Sequence, residues 1–219
     1  MQVFENPFLL RTALQAENCL GRKIGFVPTM GALHDGHGAL IARSAAENDL
    51  TVVSIFVNPT QFGPNEDLAK YPRTLEADLA LCKAAGATHI FTPTEATMYP
   101  DGKEHFEVKM GLRTMDQYMD GAKRPGHFDG VLLVVARLFN IVLPTNAYFG
   151  KKDFQQLSIL QALARELFFP LNIVPCDIVR EADGLAMSSR NRYLDPEERQ
   201  QALYLSRCLR AVDARARAG

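Results

Sequence analysis

The sequence predicts an α/β fold in which helices cover both faces of a parallel sheet. Short apolar segments alternate along the chain with stretches of helical periodicity, which is the pattern of repeated strand–helix units. The segment 51–57 (TVVSIFV) is apolar at nearly every position, as expected for a strand that is buried on both faces. No internal repeat or low-complexity segment interrupts the alternation.

The first half of the chain is predicted to contribute four strands and two helices. The strands are short apolar runs, of which 106–110 (FEVKM) is the weakest. The second helix is closed by Gly86, because glycine readily takes the left-handed conformation that ends helices. In chain order, the predicted elements are a strand at 24–28, a helix at 37–48, a strand at 51–57, a helix at 73–85, and strands at 88–92 and 106–110.

The second half is predicted to contain a central buried helix, because residues 130–143 (GVLLVVARLFNIVL) are apolar almost all round. Asp195 and Pro196 have the residue types of a helix cap and a first helical turn, and the amphipathic residues after them predict a last helix. The remaining predicted elements are a strand at 146–149, a helix at 153–167 and a strand at 172–179 that Pro175 breaks.

Composition and charge limit the classes of partner. Among 219 residues, 24 Lys and Arg face 25 Asp and Glu, a formal net charge of −1 that argues against nucleic acid or an anionic membrane as the main partner. The longest apolar run, 131–136, is too short to span a bilayer, and no secretory signal is visible. The four cysteines form no C-x-x-C pair, which favours reduced thiols over a zinc or disulfide framework. We therefore expect a cytoplasmic protein.

Polar and basic residues follow three of the predicted strands. They lie at 29–37, at 58–61 and at 150–153. In open parallel sheets, ligands bind in the crevice beyond the carboxyl ends of the strands. The sequence therefore predicts one shared site for an anionic ligand at that edge of the sheet.

The segment G-A-L-H-D-G-H at 31–37 is the strongest candidate for chemistry. His34 and His37 straddle Gly36 at a predicted strand-to-helix turn, where free N–H groups and the helix dipole favour anions. Imidazoles can donate hydrogen bonds to phosphate oxygens and stabilise charge during transfer. The alternative is that both histidines are turn and cap residues. A zinc site is less favoured, because no third ligand lies at a suitable spacing.

The segment M-S-S-R-N at 187–191 offers two hydroxyls and a guanidinium, which suit the outer phosphates of a nucleoside triphosphate. The alternative is a solvated loop that carries a helix cap. A HIGH-type turn early in the chain and a basic, serine-rich loop late in it resemble the arrangement in class I aminoacyl-tRNA synthetases and their nucleotidyltransferase relatives. Those enzymes attack the α-phosphate of ATP.

Two further clusters offer amide and ammonium groups. In G-K-K-D-F-Q-Q at 150–156, Lys152 and Gln156 are four residues apart and share a helix face, so the lysine could stabilise a phosphate and the glutamine could bind a hydroxy acid. In V-N-P-T-Q-F-G at 57–63, amides follow a buried strand. The alternatives are ordinary surface lysines and a plain turn.

Together these motifs resemble the pantothenate synthetase (pantoate–β-alanine ligase) family. P-T-M-G-A-L-H-D-G-H, F-V-N-P-T-Q-F, Y-P-R-T, G-K-K-D-F-Q-Q-L and D-G-L-A-M-S-S-R-N-R-Y-L occur in the family's order, from about residue 22 to 205. The resemblance implies a Rossmann-like domain at 1–183 that binds ATP and pantoate. It also implies Mg²⁺-ATP and pantoate reacting to pantoyl-adenylate and pyrophosphate, followed by attack of β-alanine that releases AMP, in a protein that is commonly a homodimer.

The resemblance also implies roles for individual residues. The residues implied in catalysis are His34, His37, Lys152 and Arg190, with His37 either the proton donor or a purely electrostatic group. The residues implied in binding ATP are Met30, Gly31, Ala32, Leu33, His34, Asp35, Gly36, His37, Gly150, Lys151, Lys152, Asp153, Val179, Met187, Ser188, Ser189 and Arg190. The residues implied in binding the other substrates are Asn58, Gln61, Arg124 and Gln156, and Asp78 is implied as a helper for magnesium.

The sequence departs from the family in two respects. Lys151 stands where the family usually has Glu, which makes the local charge more positive. Family members also continue further, into a small C-terminal domain that closes over ATP, so residues 184–219 are expected to be the truncated beginning of that lid. We expect such a chain to bind ATP and pantoate but to turn over slowly, since closure excludes water and completes the site.

Three rival functions compete with this interpretation. A nucleotidyltransferase of the same superfamily would have no need for the paired amides Gln61 and Gln156. A non-catalytic nucleotide-binding module is opposed by the joint presence of four candidate residues, His34, His37, Lys152 and Arg190. A tRNA ligase is disfavoured because the chain has no anticodon-binding domain and no excess of basic residues.

Overall fold

A computed structural model of the protein describes residues 1–64, 66–105 and 107–219. These residues form one six-stranded sheet in which every neighbouring pair of strands is parallel. The strands are β1 (Gln2–Phe4), β2 (Ile24–Thr29), β3 (Leu50–Ile55), β4 (His89–Phe91), β5 (Asn146–Gly150) and β6 (Asn172–Cys176). Their order across the sheet is β1-β4-β3-β2-β5-β6, which confirms the predicted parallel sheet.

The described residues also form eight α-helices and three 3-10 turns. The helices are α1 (Pro7–Cys19), α2 (Asp35–Glu47), α3 (Leu75–Ala84), α4 (Glu95–Met98), α5 (Met119–Lys123), α6 (His127–Val142), α7 (Phe154–Glu166) and α8 (Pro196–Ala218). The 3-10 turns lie at Pro59–Gln61, Lys151–Asp153 and Ser189–Tyr193. The turns at 59–61 and 151–153 follow the carboxyl ends of β3 and β5, where the sequence predicts the site.

Helices cover both faces of the sheet. On one face, Leu14 of α1 and buried residues of α6 and α7 form a hydrophobic cluster with Phe26. On the other face, Ile41 of α2 and Cys82 of α3 pack with Val27, the next residue of the same strand. Successive strand residues point to opposite faces, so β2 contributes to both clusters and is buried on both sides.

Three local predictions differ from the structure. Residues 107–110 form no strand, while Phe106, the first residue of that prediction, lies outside the described residues. Pro175 does not break its strand but lies within β6, which pairs with β5 and forms an edge of the sheet in the part of the chain that the structure describes. A residue that donates no N–H is tolerated at a sheet edge. Four elements are additional to the predicted ones, namely β1, α1 and the short helices α4 and α5. Asn6 caps α1 by accepting from the N–H groups of Phe8 and Leu9.

The strand order reverses between β2 and β5, the two central strands. From β2 the chain continues outward through β3 and β4, whereas β5 and β6 extend the sheet on the other side. Neighbouring connections therefore leave β2 and β5 in opposite directions, and a crevice opens beyond their carboxyl ends. The H-D-G-H segment follows β2 and the G-K-K-D segment follows β5, so the topology brings these two motifs together.

The last helix begins as predicted. The Asp195 side chain accepts from the N–H of Glu198 at 2.8 Å, and the Glu198 carboxylate accepts from the N–H of Asp195 at 3.0 Å, which forms a reciprocal cap at the start of α8. Among the described residues, neither this helix nor any other combines the length and the apolar character needed to cross a membrane.

Candidate active site

A cavity of about 290 Å³ opens beyond the carboxyl ends of β2 and β5. It gathers most of the predicted site residues, which come from segments widely separated in sequence. The predicted residues that line it are Met30, His34, Gly36, His37, Asn58, Gln61, Arg124, Gly150, Lys152, Asp153, Gln156, Val179, Met187, Ser188, Ser189 and Arg190. The predicted residues outside its lining are Gly31, Ala32, Leu33, Asp35, Lys151 and Asp78.

The two histidines of H-D-G-H lie side by side at the start of α2, with ring centroids 4.1 Å apart. The Nδ1 atom of His34 accepts from the N–H of Gly36 at 3.1 Å, and the Nδ1 atom of His37 accepts from the N–H of His34 at 3.3 Å. Because both Nδ1 atoms accept, each neutral ring carries its proton on Nε2. The histidines therefore cap the helix, as the alternative interpretation predicts, and they also line the cavity.

Burial keeps both histidines uncharged. It lowers the pKa of His37 to about 3, with further contributions from the neighbouring His34 and Lys152. The pKa of His34 is also lowered, first by burial and then by the charge of Lys152. Near neutral pH, each ring is thus a neutral hydrogen-bond donor through Nε2 rather than a cation.

A buried carboxylate holds the turn that precedes the histidines. Gly31 and Ala32 both have positive φ, of 81° and 50°, a conformation that is strained for alanine. Asp78, only 2% exposed, accepts from the N–H groups of Ala32 at 3.0 Å and Leu33 at 2.8 Å, and from the Thr74 hydroxyl at 3.1 Å. Both oxygens of Asp78, the predicted magnesium helper, are therefore engaged in stabilising this turn.

Hydrogen bonds of the Asn58 side chain hold the 3-10 turn after β3 in place. Its amide donates to Gln61 Oε1 at 3.1 Å and to the carbonyl of Gly130 at 3.2 Å, and its oxygen accepts from the Tyr99 hydroxyl at 2.7 Å. With 1% exposure, Asn58 touches the cavity wall but is held by protein partners. Gln61, at 9% exposure, is the amide that this arrangement orients.

Arg124 belongs to a chain of contacts that the sequence did not reveal. Its Nε and Nη2 atoms donate to the two carboxylate oxygens of Glu66, both at 2.6 Å. Its Nη1 atom lies 3.0 Å from Nε2 of buried His127, whose Nδ1 atom lies 2.8 Å from the carbonyl oxygen of Gln61. Since a carbonyl only accepts, His127 carries its proton on Nδ1 and accepts from Arg124 at Nε2.

The segment 187–191, the candidate phosphate loop, and the residues just after it contact residues 67–71, which follow the 59–61 turn. Arg190 donates through Nε and Nη2 to Asp67 at 3.0 and 2.9 Å, and its guanidinium lies 5.6 Å from the centre of the Tyr71 ring. The hydroxyl of Tyr193 donates to the carbonyl of Lys70 at 3.2 Å. The Ser188 side chain accepts from the N–H of Arg190, so it caps the turn.

In each of the pairs Lys151–Lys152 and Gln155–Gln156, the second residue lines the cavity and the first does not. Lys152 lines the cavity, whereas Lys151 forms an exposed ion pair with Asp177 at 2.6 Å. Gln156 also lines the cavity. Its neighbour Gln155 is buried and holds the 115–121 segment, with its amide donating to the carbonyls of Met115 and Tyr118 at 2.8 Å and its oxygen accepting from backbone N–H groups at 120 and 121.

Two comparisons of the sequence with known proteins give the same family. The profile of the family described as pantoate-beta-alanine ligase matches residues 2–218. A pantothenate synthetase from Sulfurihydrogenibium sp. (strain YO3AOP1) is 54% identical over 209 residues, which cover 95% of this chain and 74% of that protein. Another, from Acidobacterium capsulatum, is 55% identical over 215 residues, which cover 98% and 69%.

The chain belongs to the pantoate–β-alanine ligase family.

Solved structures of this family share the fold. Pantothenate synthetase from Thermus thermophilus matches with a TM-score of 0.92 at 47% identity, over 100% of this chain and 77% of that one. The pantoate-beta-alanine ligase from Francisella tularensis, whose crystals contained beta-gamma ATP and beta-alanine, matches with a TM-score of 0.86 at 38% identity, over 96% and 79%. The resemblance inferred from the motifs is thereby confirmed, and with it the assignment as an ATP-dependent ligase.

Proposed function

We propose that this chain condenses pantoate with β-alanine through a pantoyl-adenylate, in the following arrangement of its residues. The observation that carries the proposal is the cavity at the β2–β5 switch point. One wall presents His34, His37 and Lys152, and Arg190 and the serine loop also line the cavity. Such a set suits a triphosphate, while the amides of Gln61 and Gln156 in the same cavity suit a small hydroxy acid.

In the first half-reaction, a carboxylate oxygen of pantoate attacks the α-phosphorus of ATP, and the bond to the bridging oxygen of pyrophosphate breaks. Negative charge on the phosphoryl oxygens must be stabilised in the transition state. We assign that task to the Nε2–H groups of His34 and His37 and to the Lys152 ammonium. Ser188, Ser189 and Arg190 hold the departing outer phosphates, which fits their hydroxyl and guanidinium donors.

In the second half-reaction, the amine of β-alanine attacks the acyl carbon of pantoyl-adenylate. The C–O bond to AMP breaks, and the amine loses a proton as the amide forms. Pantoate is oriented by Gln61 and Gln156, and Arg124 attracts the carboxylate end of the small substrates. Asn58 acts indirectly, since its polar atoms hold Gln61 and the neighbouring backbone.

The nucleoside end of ATP is placed along the other side of the cavity. Gly150, the last residue of β5, and Asp153, in the 3-10 turn after it, contact the ribose, and Val179 contacts adenine through its backbone. The carbonyl of Val179 already accepts from the N–H of Met187 at 3.0 Å. Met30 and Gly36 line the cavity beside the phosphates.

Magnesium is proposed to enter with ATP. Among the described residues, no group of three or more His, Cys, Asp or Glu side chains is arranged to hold a metal ion, and Asp78 is engaged by the 31–33 turn. Mg²⁺ often binds mainly to phosphate oxygens and water, with few protein ligands, and it would neutralise phosphate charge there. We also propose a cytoplasmic homodimer, consistent with four free thiols and with exposed Phe8 and Phe168.

The first test is exchange of labelled pyrophosphate into ATP in the presence of Mg²⁺, with and without pantoate. Exchange that requires pantoate establishes adenylation, and AMP that accumulates once β-alanine is added establishes the ligation. A chain that binds ATP yet shows no exchange with pantoate, while another carboxylic acid supports exchange, would assign the site to a different acid. Lys152→Ala should abolish exchange in the active chain, because it removes a charge from the reacting phosphate.

A further inference from the structure

Residues 66–70 lie between the N-P-T-Q-F and Y-P-R-T motifs, and neither they nor Tyr71, the first residue of the second motif, have a role in the reaction as described above. They nevertheless contact both arginines of the cavity. Building on the proposed function, we infer that Glu66 and Asp67 are positioning residues that serve different substrates: Asp67 orients Arg190 for the outer phosphates of ATP, and Glu66 orients Arg124 for the carboxylate substrates. The two consecutive carboxylates would thus orient the arginine that binds ATP and the arginine that binds the carboxylate substrates.

Arg190 is constrained in two independent ways. The Tyr71 ring, which is buried, lies 5.6 Å from the guanidinium carbon and restricts the plane of the group. The fork to Asp67, at 3.0 and 2.9 Å, restricts its rotation. Without these contacts, a half-exposed arginine side chain would sample many rotamers, and ordering it on ATP would cost binding free energy.

The same segment also anchors the loop that carries Arg190. The Tyr193 hydroxyl donates to the carbonyl of Lys70 at 3.2 Å, one turn beyond the serine pair. Asp67 and Arg190 are 123 residues apart in sequence, so this contact and the one from Tyr193 join segments that are distant in the chain. The position of the phosphate loop therefore depends on residues 67–71.

Arg124 is constrained by an equivalent arrangement. Glu66 accepts from Nε and Nη2 at 2.6 Å, and His127 accepts from Nη1 at 3.0 Å. His127 in turn donates to the carbonyl of Gln61. One carboxylate consequently fixes both the arginine and, through His127, the turn that carries the pantoate-binding amide.

The geometry favours support over competition with the substrate. Each carboxylate occupies only the Nε–Nη2 edge of its guanidinium. Nη1 of Arg190 lies outside this fork, and Nη1 of Arg124 donates to His127 rather than to Glu66. Arg124 and Arg190 line the cavity, whereas Glu66 and Asp67 do not. The two carboxylates therefore contact the arginines from outside the cavity lining, which is the position expected of a supporting group.

The test compares Asp67→Asn and Glu66→Gln, which keep side-chain size and remove charge. Asp67→Asn should raise KM for ATP about tenfold, the worth of one charge-assisted interaction, with KM for pantoate and β-alanine changed by less than about twofold. Glu66→Gln should raise KM for pantoate or β-alanine by a similar factor and leave KM for ATP unchanged. Asp67→Glu, which restores the charge, should recover part of the ATP affinity.

Asp213→Asn is the matched control, since it removes an exposed Asp–Arg pair at 3.0 Å on α8 and should leave all three constants unchanged. Thermal unfolding of each variant identifies any general loss of structure. The inference is overturned if the two variants raise all KM values alike, if neither changes any, or if Asp67→Asn lowers KM for ATP, which would make Asp67 a competitor. If the parent chain shows no pantoate-dependent exchange, the proposed function itself fails, independently of this inference.

Discussion

At the residue scale, the protonation state of His37 decides between two roles. A histidine that donates its proton as a general acid must be an imidazolium near the working pH, and burial lowers the pKa of His37 to about 3, so its ring is neutral there. Its Nδ1 atom is already engaged by the N–H of His34, so only the Nε2–H faces a ligand. We therefore propose that His37 stabilises the transferring phosphate as a neutral donor.

This role predicts different outcomes for two substitutions of His37. Asparagine places its oxygen near the Nδ1 position and can keep the helix cap, but it loses the Nε2–H. Glutamine reaches the Nε2 position with its amide and can still donate. His37→Asn should lower the exchange rate about 100-fold or more, as expected for loss of a donor to a charged transition state, while His37→Gln should retain a larger fraction.

Equal losses in both variants would contradict the neutral-donor role, because a required proton transfer fails with either amide. The pH profile of exchange provides the second readout, since a neutral donor contributes no inflection between about pH 5 and 8.

The sequence predicted that several of the candidate residues share one cavity, but it did not predict the side chains that support them. His34, His37, Lys152 and Gln61 are predictable because each follows a strand end that topology brings to one crevice. Asp67, Tyr71, His127 and Gln155 gave no such signal. Their functions come from contacts with segments far away in the chain, and spacing alone contains no information on those contacts.

At the element scale, the close approach of α6 to the 59–61 turn determines where Gln61 lies. A Cβ atom added to Gly130 would overlap the carbonyl group of Thr60 and stand 2.7 Å from the backbone nitrogen of Gln61. Both contacts are with backbone atoms, so relief requires the helix and turn to separate. Gly130→Ala should therefore destabilise the protein by about 1–3 kcal/mol and raise KM for pantoate.

A second helical glycine provides the control. A Cβ atom on Gly38 of α2 would meet only Leu81, at an ordinary 3.6 Å. Gly38→Ala should be neutral or stabilising by roughly 0.5–1 kcal/mol, because alanine loses less backbone entropy in a helix. Chemical denaturation of both variants measures the difference; comparable stability of the two would show that the turn can shift without cost.

Periodicity predicts the elements that have one clear pattern and misses those that depend on tertiary context. The apolar helix around 130–143 and the buried strand at 51–57 were correct within a few residues. The alternating pattern of 106–110 suggests a strand, but a strand needs a partner strand to pair with. Residues 107–110 pair with no strand of the described sheet. β1 has only three residues, too few for a pattern to be visible.

At the scale of the whole molecule, buried neutral histidines link stability to pH. Burial lowers the pKa of His34, His37, His89 and His127 below the ordinary value of about 6.5. As pH falls below 6.5, the unfolded chain takes up protons that the native histidines do not, so the free energy of unfolding decreases. This contribution is complete above pH 6.5 and is lost progressively toward pH 3.

Urea unfolding at pH 7.5, 6.0 and 5.0 should show this loss, with His37 alone contributing on the order of 1–2 kcal/mol by pH 5. Arginine partners lower the pKa of several carboxylates, Glu66 and Asp67 among them. Their contribution to the free energy of unfolding is also lost as the pH falls, but mainly below about pH 4.5. The chosen pH window therefore isolates the histidines.

Two substitutions separate His37 from the other histidines in this measurement. His37→Asn should reduce the slope of stability against pH, whereas His105→Asn, at an exposed position, should leave it unchanged. The comparison uses slopes, so a uniform destabilisation by either substitution does not affect it. If His37→Asn retained the full slope of the parent chain, His37 would have to be charged or solvated in the native state, and its assignment as a neutral donor to the phosphate would fail with it.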